Sequence, residues 1–503
     1  MKAEVIKVMV VSGWTLALVT GCSSIPSVGP NYEEPKFEVP EYLLPDAGQP
    51  TTKLSKSGEY VPAEGADDKR VALSKDVIEQ WWKRFNDPVL EKLVKGGVSN
   101  NVGFLQAQRR LEQRDYELLG SYAAFLPHAG IGALWNRDWK NKSAGGANNG
   151  YAYTTQRVGL DGDWEIDIFG GSRRASEAAF AMAEAAGWTV ADAWVSLTTQ
   201  IGQKYVSLRT TQELIDVAHT NLLLQSETYD ILKSRLDSGI GDELAVNQCA
   251  YIVEETRAKL PTLLAQEELL KNDLAILAGE MPGALHEFLK PLPERRDWLL
   301  APQKVGELKL DMMRARPDVK AVERALAAQT ASIGVAKAQW FPKLFVTGTV
   351  GWQSIDRTRI FDRDSFFASL GPSVSWPIFQ GGAIYANVKA TEAKMQECVL
   401  AYEESLQNAY KEVRNAYSAY SQEYHRYQAL RGAVKAATDA VTISQDLYQN
   451  GLRDFNNVLD AQRSRLQYEE AFAVSRGKIT EELINLYRSR GGGLAYEHPD
   501  EAE

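Results

Sequence analysis

Four carboxylates that lie two residues apart are the first candidates for catalytic side chains: Asp161, Asp163, Glu165 and Asp167. Carboxylates act as general acids and bases when they converge on one substrate. A strict spacing of two instead places them in a row along one face of a β-strand. The solvated lining of a pore explains such a row better than an active site does.

Other reactive residues form no catalytic or metal-binding pattern. The five histidines are scattered, and neither Cys249 nor Cys398 has a neighbouring histidine in the sequence. The sequence contains no phosphate loop, dinucleotide fingerprint or nucleophile elbow. The net charge of -10, without a block of lysine and arginine, argues against nucleic acid as a partner. We therefore expect no enzyme, no cofactor and no metal site.

The acidic row belongs to a module that occurs twice. The recurring markers are Phe125-Leu126-Pro127 with Trp340-Phe341-Pro342, and Ile168-Phe169-Gly170-Gly171 with Ile378-Phe379-Gln380-Gly381-Gly382. Each pair of markers encloses two candidate strands. We predict a first repeat over 87–278, with a β-hairpin at about 128–168, and a second over 313–490, with a hairpin at about 343–378.

Both hairpins alternate between apolar and polar residues. In the first, apolar residues at 158, 160, 164, 166 and 168 oppose the acidic row, and the second hairpin alternates similarly. A soluble sandwich would also produce this pattern. Six of the twelve tryptophans fall in these blocks, as membrane-interface girdles require. Because four strands cannot close a barrel in lipid, several chains must pool their strands.

A very long helical segment without proline follows each hairpin, over 172–238 and 383–450. At 1.5 Å per residue each would reach ~100 Å. Apolar residues in the second segment recur with the coiled-coil period, which predicts a packed seam. Each segment ends in a glycine tip, at 239–241 and 450–453, where glycine supplies a left-handed helix cap.

Aspartates mark the starts of three further helices. Asp242 and Asp454 follow the two glycine tips, and each is expected to cap the helix that returns from its tip. Asp87 precedes Pro88, a residue favoured at the first helical position. We predict that this earlier helix runs toward Phe125.

The N-terminus has the features of an export signal. Two lysines precede an apolar run from Val8 to Val19, too short for the ~20 helical residues that span a bilayer. The following Val-Thr-Gly-Cys22 resembles a bacterial lipobox, which implies removal of residues 1–21 and attachment of lipid, including an acyl chain such as palmitate, to Cys22. Ser23 then favours sorting to the outer membrane. A plain signal peptide is the alternative.

Three predicted segments lie outside the repeats: 22–86, 279–312 and 491–503. From Pro26 to Pro50 a proline falls every four or five residues, which predicts an extended strap.

Several motifs resemble those of the TolC-like outer-membrane efflux factors, in particular the lipoprotein branch that serves resistance-nodulation-division pumps. The motifs are Val28-Gly29-Pro30-Asn31-Tyr32, Trp81-Trp82-Lys83-Arg84-Phe85-Asn86-Asp87-Pro88, Arg316-Pro317-Asp318-Val319 and Ile333-Gly334-Val335-Ala336-Lys337-Ala338-Gln339-Trp340-Phe341-Pro342. The resemblance implies a mainly α-helical homotrimer with four strands per protomer. Its twelve-stranded membrane β-barrel would continue as a long periplasmic α-helical barrel.

The same resemblance implies a periplasmic gate near the second tip, at Tyr448, Arg453, Asn457 and Asp460. Many relatives carry aspartate where Asn457 stands, so Asp460 is the expected acidic ring. The usual polar partners of the gate arginine correspond to Leu244 and Ala245. The expected docking points for a periplasmic adaptor are Gly239, Ile240, Gly451 and Leu452.

The resemblance further implies a passive, lipid-anchored duct in the outer membrane that exports drugs or other toxic small molecules supplied by an inner-membrane pump. Polypeptide export in type I secretion is one alternative with the same fold. A structural or adhesive coiled-coil lipoprotein is another, although it leaves the alternating strands unexplained. The sequence does not identify the substrate.

Overall fold

The computed structural model describes residues 27–35, 52–54, 60–62, 80–139, 152–291 and 313–491. The predicted signal peptide, Cys22, most of the strap and the C-terminal tail lie outside them. Contacts divide the chain into two compact units, each with pieces of both repeats. The first unit is Met1–Lys36, Leu111–Ala186 and Val322–Tyr402, and the second is Phe37–Arg110, Gly187–Ala321 and Glu403–Glu503.

One order of elements, a helix, two strands, a very long helix and a shorter helix, occurs twice. In chain order the strands and α-helices are β1 (Thr52–Leu54), β2 (Tyr60–Pro62), α1 (Pro88–Asn100), α2 (Val102–Tyr122), β3 (His128–Trp139), β4 (Ala152–Ile166), α3 (Gly171–Asp237), α4 (Glu243–Leu277), α5 (Pro317–Ala338), β5 (Lys343–Ser354), β6 (Phe366–Ser375), α6 (Ala383–Gln449) and α7 (Phe455–Ser489). Short 3-10 helices occupy Trp81–Phe85, Ala123–Phe125 and Arg363–Ser365.

The long helices have the same length in both copies. α3 and α6 each contain 67 residues, and the helices that follow them, α4 and α7, each contain 35. The predicted long helices are confirmed, with ends within one residue, because no proline interrupts them and a glycine stops each one. No described helix combines the length and apolar character needed to cross a membrane.

The helix predicted to run from Pro88 toward Phe125 is instead two helices. Asp87 caps α1 as predicted, because its carboxylate accepts backbone N–H groups of the first turn. Asn101 then breaks the helix: its backbone is extended, and its Oδ1 accepts the N–H of Phe104 at 3.0 Å, which starts α2. The Asn101 amide also donates to the carbonyl of Leu277 at 3.1 Å.

β3, β4, β5 and β6 form one antiparallel sheet in that order, so pairing of β4 with β5 joins the two predicted hairpins. One row across the sheet is Ile131, Leu160, Val350 and Ala368. The neighbouring row, on the opposite face, is Gly130, Asp161, Thr349 and Ser369. The predicted alternation between an apolar and a polar face is therefore confirmed.

β4 and β6 end two and three residues before the predicted ends of the hairpins. Asp167, predicted in the acidic row, lies just beyond β4 because its carboxylate accepts the backbone N–H of Arg173 in the first turn of α3, at 2.9 Å. Trp376 lies just beyond β6. It precedes Pro377, which has no N–H to continue the ladder.

The largest apolar core lies in the second unit and is built around the predicted Trp81-Trp82 motif. The Trp81 indole is 2% exposed and stacks on Tyr487 with ring centroids 6.3 Å apart. It also lies against Gly202 in α3, where a Cβ would come within 2.2 Å of the ring. The first unit packs through smaller clusters, one of them formed by Ala181, Ala327 and Ala328.

Candidate functional site

The two glycine tips have the same hydrogen-bonded turn. In each, the glycine N–H donates to the carbonyl three residues earlier, and the next N–H donates to the carbonyl five residues earlier. The distances are 2.9 and 3.1 Å for Gly239 and Ile240, and 3.0 and 2.9 Å for Gly451 and Leu452. Both glycines have positive φ, 74° and 70°. These are Schellman motifs, and the predicted left-handed caps are confirmed.

Each tip carries one large apolar side chain in solvent. Ile240 is 71% exposed and Leu452 is 69% exposed. An apolar residue at this position of a Schellman motif frequently packs back onto its own helix. Here both stay outside, so the tips present matching apolar points for another surface.

The helices that return from the tips begin differently. The Asp242 carboxylate accepts the N–H of Leu244 at 3.0 Å and caps α4, as predicted. Asp454 occupies the equivalent position before α7, but its side chain makes no capping hydrogen bond, so that prediction is wrong. Instead, its backbone carbonyl accepts the backbone N–H of Asn457 at 3.2 Å and its side-chain amide at 3.1 Å.

A small apolar cluster beneath the tips packs the two helical hairpins together. Its buried members are Leu232, Ala245, Val246, Cys249, Ile252, Phe455, Val458 and Leu459. Tyr448, a predicted gate residue, lies at its edge. Its ring is 5.2 Å from that of Phe455 and 5.4 Å from the Arg235 guanidinium. Burial raises the pKa of the Cys249 thiol to about 11, which suits a packing role.

The other three predicted gate residues, Arg453, Asn457 and Asp460, are exposed. Arg453 has no ion pair within the described part of the chain. The Asp460 carboxylate lies 4.0 Å from the guanidinium of Arg463, which itself donates to the Tyr251 hydroxyl at 2.6 Å. The structure therefore separates the predicted gate into a packed tyrosine and three polar side chains in solvent.

The two residues at the expected positions of the gate arginine's partners do not offer it a polar group. The Leu244 side chain is 58% exposed, and Ala245 is buried in the cluster beneath the tips.

The polar face of the sheet is more balanced in charge than the predicted acidic row. Arg157, on the same face of β4, pairs with Asp161, and Lys343 of β5 pairs with Glu165 at 3.0 Å. Of the three carboxylates within β4, Asp163 alone lacks an ion pair to any described residue. Sequence reasoning missed Arg157, although its spacing of four from Asp161 places it on that face.

Two glycines allow β4 and β5 to approach closely on the polar side. A Cβ on Gly351 would lie 2.3 Å from the carbonyl oxygen of Val158, and one on Gly159 would lie 2.9 Å from that of Val350. Glycines with little free space on one face fit a sheet that curves toward that face. The polar face is therefore the crowded one.

Tryptophans mark both ends of the apolar face. Trp352 lies opposite Val158 and contacts Phe366 edge to face, with centroids 6.0 Å apart. Trp164 is six residues further along β4, ~20 Å at the usual strand rise. The apolar face therefore carries aromatic side chains at two levels, as a membrane barrel does.

An indole closes the base of each hairpin in the same way. Trp164 Nε1 donates to the carbonyl of Phe125 at 2.9 Å, and Trp376 Nε1 donates to the carbonyl of Trp340 at 3.0 Å. Each acceptor stands two residues before a proline. This indole hydrogen bond is therefore a further feature that the two repeats share.

Side chains suited to metal binding do not gather in groups of three or more anywhere in the described ranges. Cys249 and Cys398 are both free thiols. The described surface thus offers two glycine tips, a polar sheet face and an apolar sheet face.

Comparison with known proteins points to one family. The family model described as outer membrane efflux protein matches residues 97–280 and 311–492. The chain is 28% identical to outer membrane protein OprJ of Pseudomonas aeruginosa, over 96% of this chain and 95% of OprJ. It is also 28% identical to the toluene efflux pump outer membrane protein TtgF of Pseudomonas putida, over 94% and 95%.

A solved structure agrees. The outer-membrane channel OprN superposes with a TM-score of 0.80 at 28% identity, covering 92% of this chain and 99% of OprN. The predicted fold class, mainly helical with four hairpin strands per chain, is confirmed, and β1 and β2 form a separate two-stranded sheet.

Proposed function

The chain belongs to the outer membrane efflux protein family, and on that premise we propose that it forms a homotrimeric, lipid-anchored duct. It is a passive outer-membrane channel component of an efflux pump, not an enzyme. In our proposal Cys22 carries the lipid. An inner-membrane pump and a periplasmic adaptor deliver small molecules to the duct, among them drugs or other toxic compounds.

The open edges of the sheet carry this proposal. β3 and β6 each pair with one neighbour among the described strands. An open edge is not tolerated in lipid, and the smallest barrels need about eight strands. Three copies provide twelve strands if β6 of one protomer pairs with β3 of the next. The apolar face then contacts lipid, and the crowded polar face lines the lumen.

The glycine tips are suited to adaptor docking. Ile240 and Leu452 are exposed, so an adaptor can bury them without breaking a contact inside the protein. Three copies of the chain present six such side chains. Full burial of a leucine or isoleucine side chain contributes ~1.5–3 kcal/mol, so each tip can add to the affinity of the contact. Gly239 and Gly451 hold the tips in the left-handed conformation that exposes these side chains.

We assign the gate to the second hairpin. Three copies of Asp460 form an acidic ring that attracts cations and repels anions. Arg453 supplies a polar contact between protomers, because it has no ion pair among the described residues. Asn457 offers its side-chain oxygen, since its side-chain N–H group already donates to the carbonyl of Asp454. Tyr448 anchors the gate to the cluster beneath the tips.

Planar-bilayer recording of the purified full-length protein tests the proposal. We expect a small, cation-preferring conductance that rises when Asp460 or Arg453 is changed to alanine, because each change removes a contact that narrows the lumen. Absence of any conductance from correctly folded protein would contradict the duct. Unchanged conductance and ion preference in both variants would contradict the gate assignment alone.

A further inference from the structure

Residues 27–34 lie in a groove between the first turns of α3 and the helix α5, all within the first unit. The N–H of Val28 donates to the carbonyl of Phe169 at 3.1 Å. Ser27 rests directly on Gly170, where a Cβ would lie 2.4 Å from that of the serine. The segment therefore begins against the turn that joins β4 to α3.

One buried arginine recognises the backbone of this segment. Arg174 is 3% exposed, and its guanidinium donates to the carbonyls of Val28 and Gly29, both at 3.3 Å. It also donates to the Asn31 side-chain oxygen at 2.7 Å and to Glu177 at 2.7 Å. The five N–H donors of a guanidinium have fixed directions, so this contact selects the path of the peptide and requires a side-chain oxygen acceptor at position 31.

Inside the groove, the backbone of the segment contacts the backbone of α5 at a pair of glycines. Gly29 has a φ of +105°, and a Cβ there would lie 2.5 Å from the Cα of Gly334 in α5. A Cβ on Gly334 would lie 2.7 Å from the Val28 carbonyl oxygen. Both positions therefore exclude a side chain, and the groove accepts only a segment with glycine at position 29.

A buried carboxylate recognises the end of the segment. The Tyr32 hydroxyl donates to Oε1 of Glu323, which is 1% exposed, at 3.3 Å. The Arg324 guanidinium lies 5.6 Å from the Tyr32 ring centroid and donates to the same carboxylate oxygen at 2.6 Å. Without the phenol, this buried carboxylate would lose one of its hydrogen-bond donors, so tyrosine is favoured over phenylalanine.

We propose that this groove is a peptide-binding site for the chain's own Val-Gly-Pro-Asn-Tyr segment, and that it fixes the attachment point of the lipid anchor beside the base of the sheet. Five extended residues reach at most ~18 Å, which limits the distance between Cys22 and Ser27. Because α3 and α5 come from different repeats, the segment also ties the repeats together. The anchoring role rests on the proposed acylation of Cys22, whereas the peptide site does not.

Hydrogen–deuterium exchange of the full-length protein tests the site. In Gly29→Ala or Arg174→Met, we expect the Val28 amide, which donates to the carbonyl of Phe169, to exchange at least tenfold faster than in wild type, with exchange in α6 unchanged. Gly283→Ala is the matched control, because Gly283 also has positive φ (+94°) but open space around it. The site is overturned if both groove variants exchange like wild type, or if the control exchanges as fast as they do.

A labelled peptide with the sequence of residues 27–32 gives an independent readout by fluorescence anisotropy. It should bind Gly29→Ala, whose own segment has left the groove, and should not bind wild type or a Gly29→Ala, Arg174→Met double variant. Equal binding to all three would overturn the site. Intact mass spectrometry addresses the anchor separately: a wild-type mass without lipid overturns the anchoring role and leaves the exchange result to decide the peptide site.

Discussion

Replacing Asp460 by asparagine should reduce the cation preference of the duct by a calculable amount. The carboxylate is 78% exposed and 4.0 Å from the Arg463 guanidinium, which is directed to Tyr251 instead. An exposed pair at this distance leaves the charge largely available to a permeating ion. In water, one unit charge acts on another one Debye length away, about 8 Å, with ~0.5 kcal/mol before screening and ~0.2 kcal/mol after it.

Three carboxylates then contribute ~0.6 kcal/mol, favourable for a cation and unfavourable for an anion. The difference of ~1.2 kcal/mol corresponds to roughly an eightfold preference for cations, which Asp460→Asn should remove. Arg463→Gln should shift the preference in the opposite direction, because it removes the opposing charge. The assay is the reversal potential in a planar bilayer under a potassium chloride gradient.

Glu287→Gln is the charge-matched control, since Glu287 lies in the turn region after α4, far from the second tip in sequence, and its side chain is 86% exposed. A reversal potential unchanged by Asp460→Asn would refute the acidic ring. A shift of the same sign in Asp460→Asn and Arg463→Gln would refute the electrostatic reasoning.

Three further predictions concern stability. Trp376→Phe removes an indole donor but keeps the ring, and should cost ~1 kcal/mol, measured as a lower temperature of trimer dissociation on denaturing gels. Gly202→Ala forces a methyl group against the Trp81 indole and should cost ~1–3 kcal/mol in guanidinium unfolding followed by circular dichroism, whereas Gly432→Ala, with open space around it, should cost nothing. Burial and the repulsion of a neighbouring aspartate raise the pKa of the Asp192 carboxyl above its ordinary 3.8, so the folded state binds the proton more tightly and stability falls as pH rises above that value. Asp192→Asn should therefore have a higher free energy of unfolding than wild type in urea at neutral pH. This difference between the variant and wild type should become smaller as the pH is lowered.

Periodic features of the sequence predicted the scaffold well. The ends of α3 and α6 follow from runs without proline that stop at Gly239 and Gly451, and the sheet faces follow from alternation. Local side-chain choices were harder to predict. Asn101 looked like an ordinary helical residue, yet its amide competes for the backbone and divides the helix. Asp454 has the same residue type as Asp242 but leaves the cap unmade.

The charge balance of the polar face could not be predicted, because it depends on pairing between strands. Lys343 reaches Glu165 only in the observed register of β4 with β5. Alternation specifies the face of a residue, while register depends on the packing of the whole sheet. The groove for residues 27–34 was missed for a similar reason, since Arg174 and Glu323 come from helices far apart in the sequence.

The two repeats share their scaffold but differ in how firmly each returning helix begins. Asp242 caps α4 with its side chain, a contact worth ~1 kcal/mol, while α7 starts without one. The less firmly held hairpin is also the one whose tip region exposes Arg453 and Asp460. A tube that opens at one end needs an element that moves at lower cost than its neighbour, and low local stability is where such motion begins. For the gate that we propose, the missing cap therefore predicts that opening begins in the second hairpin.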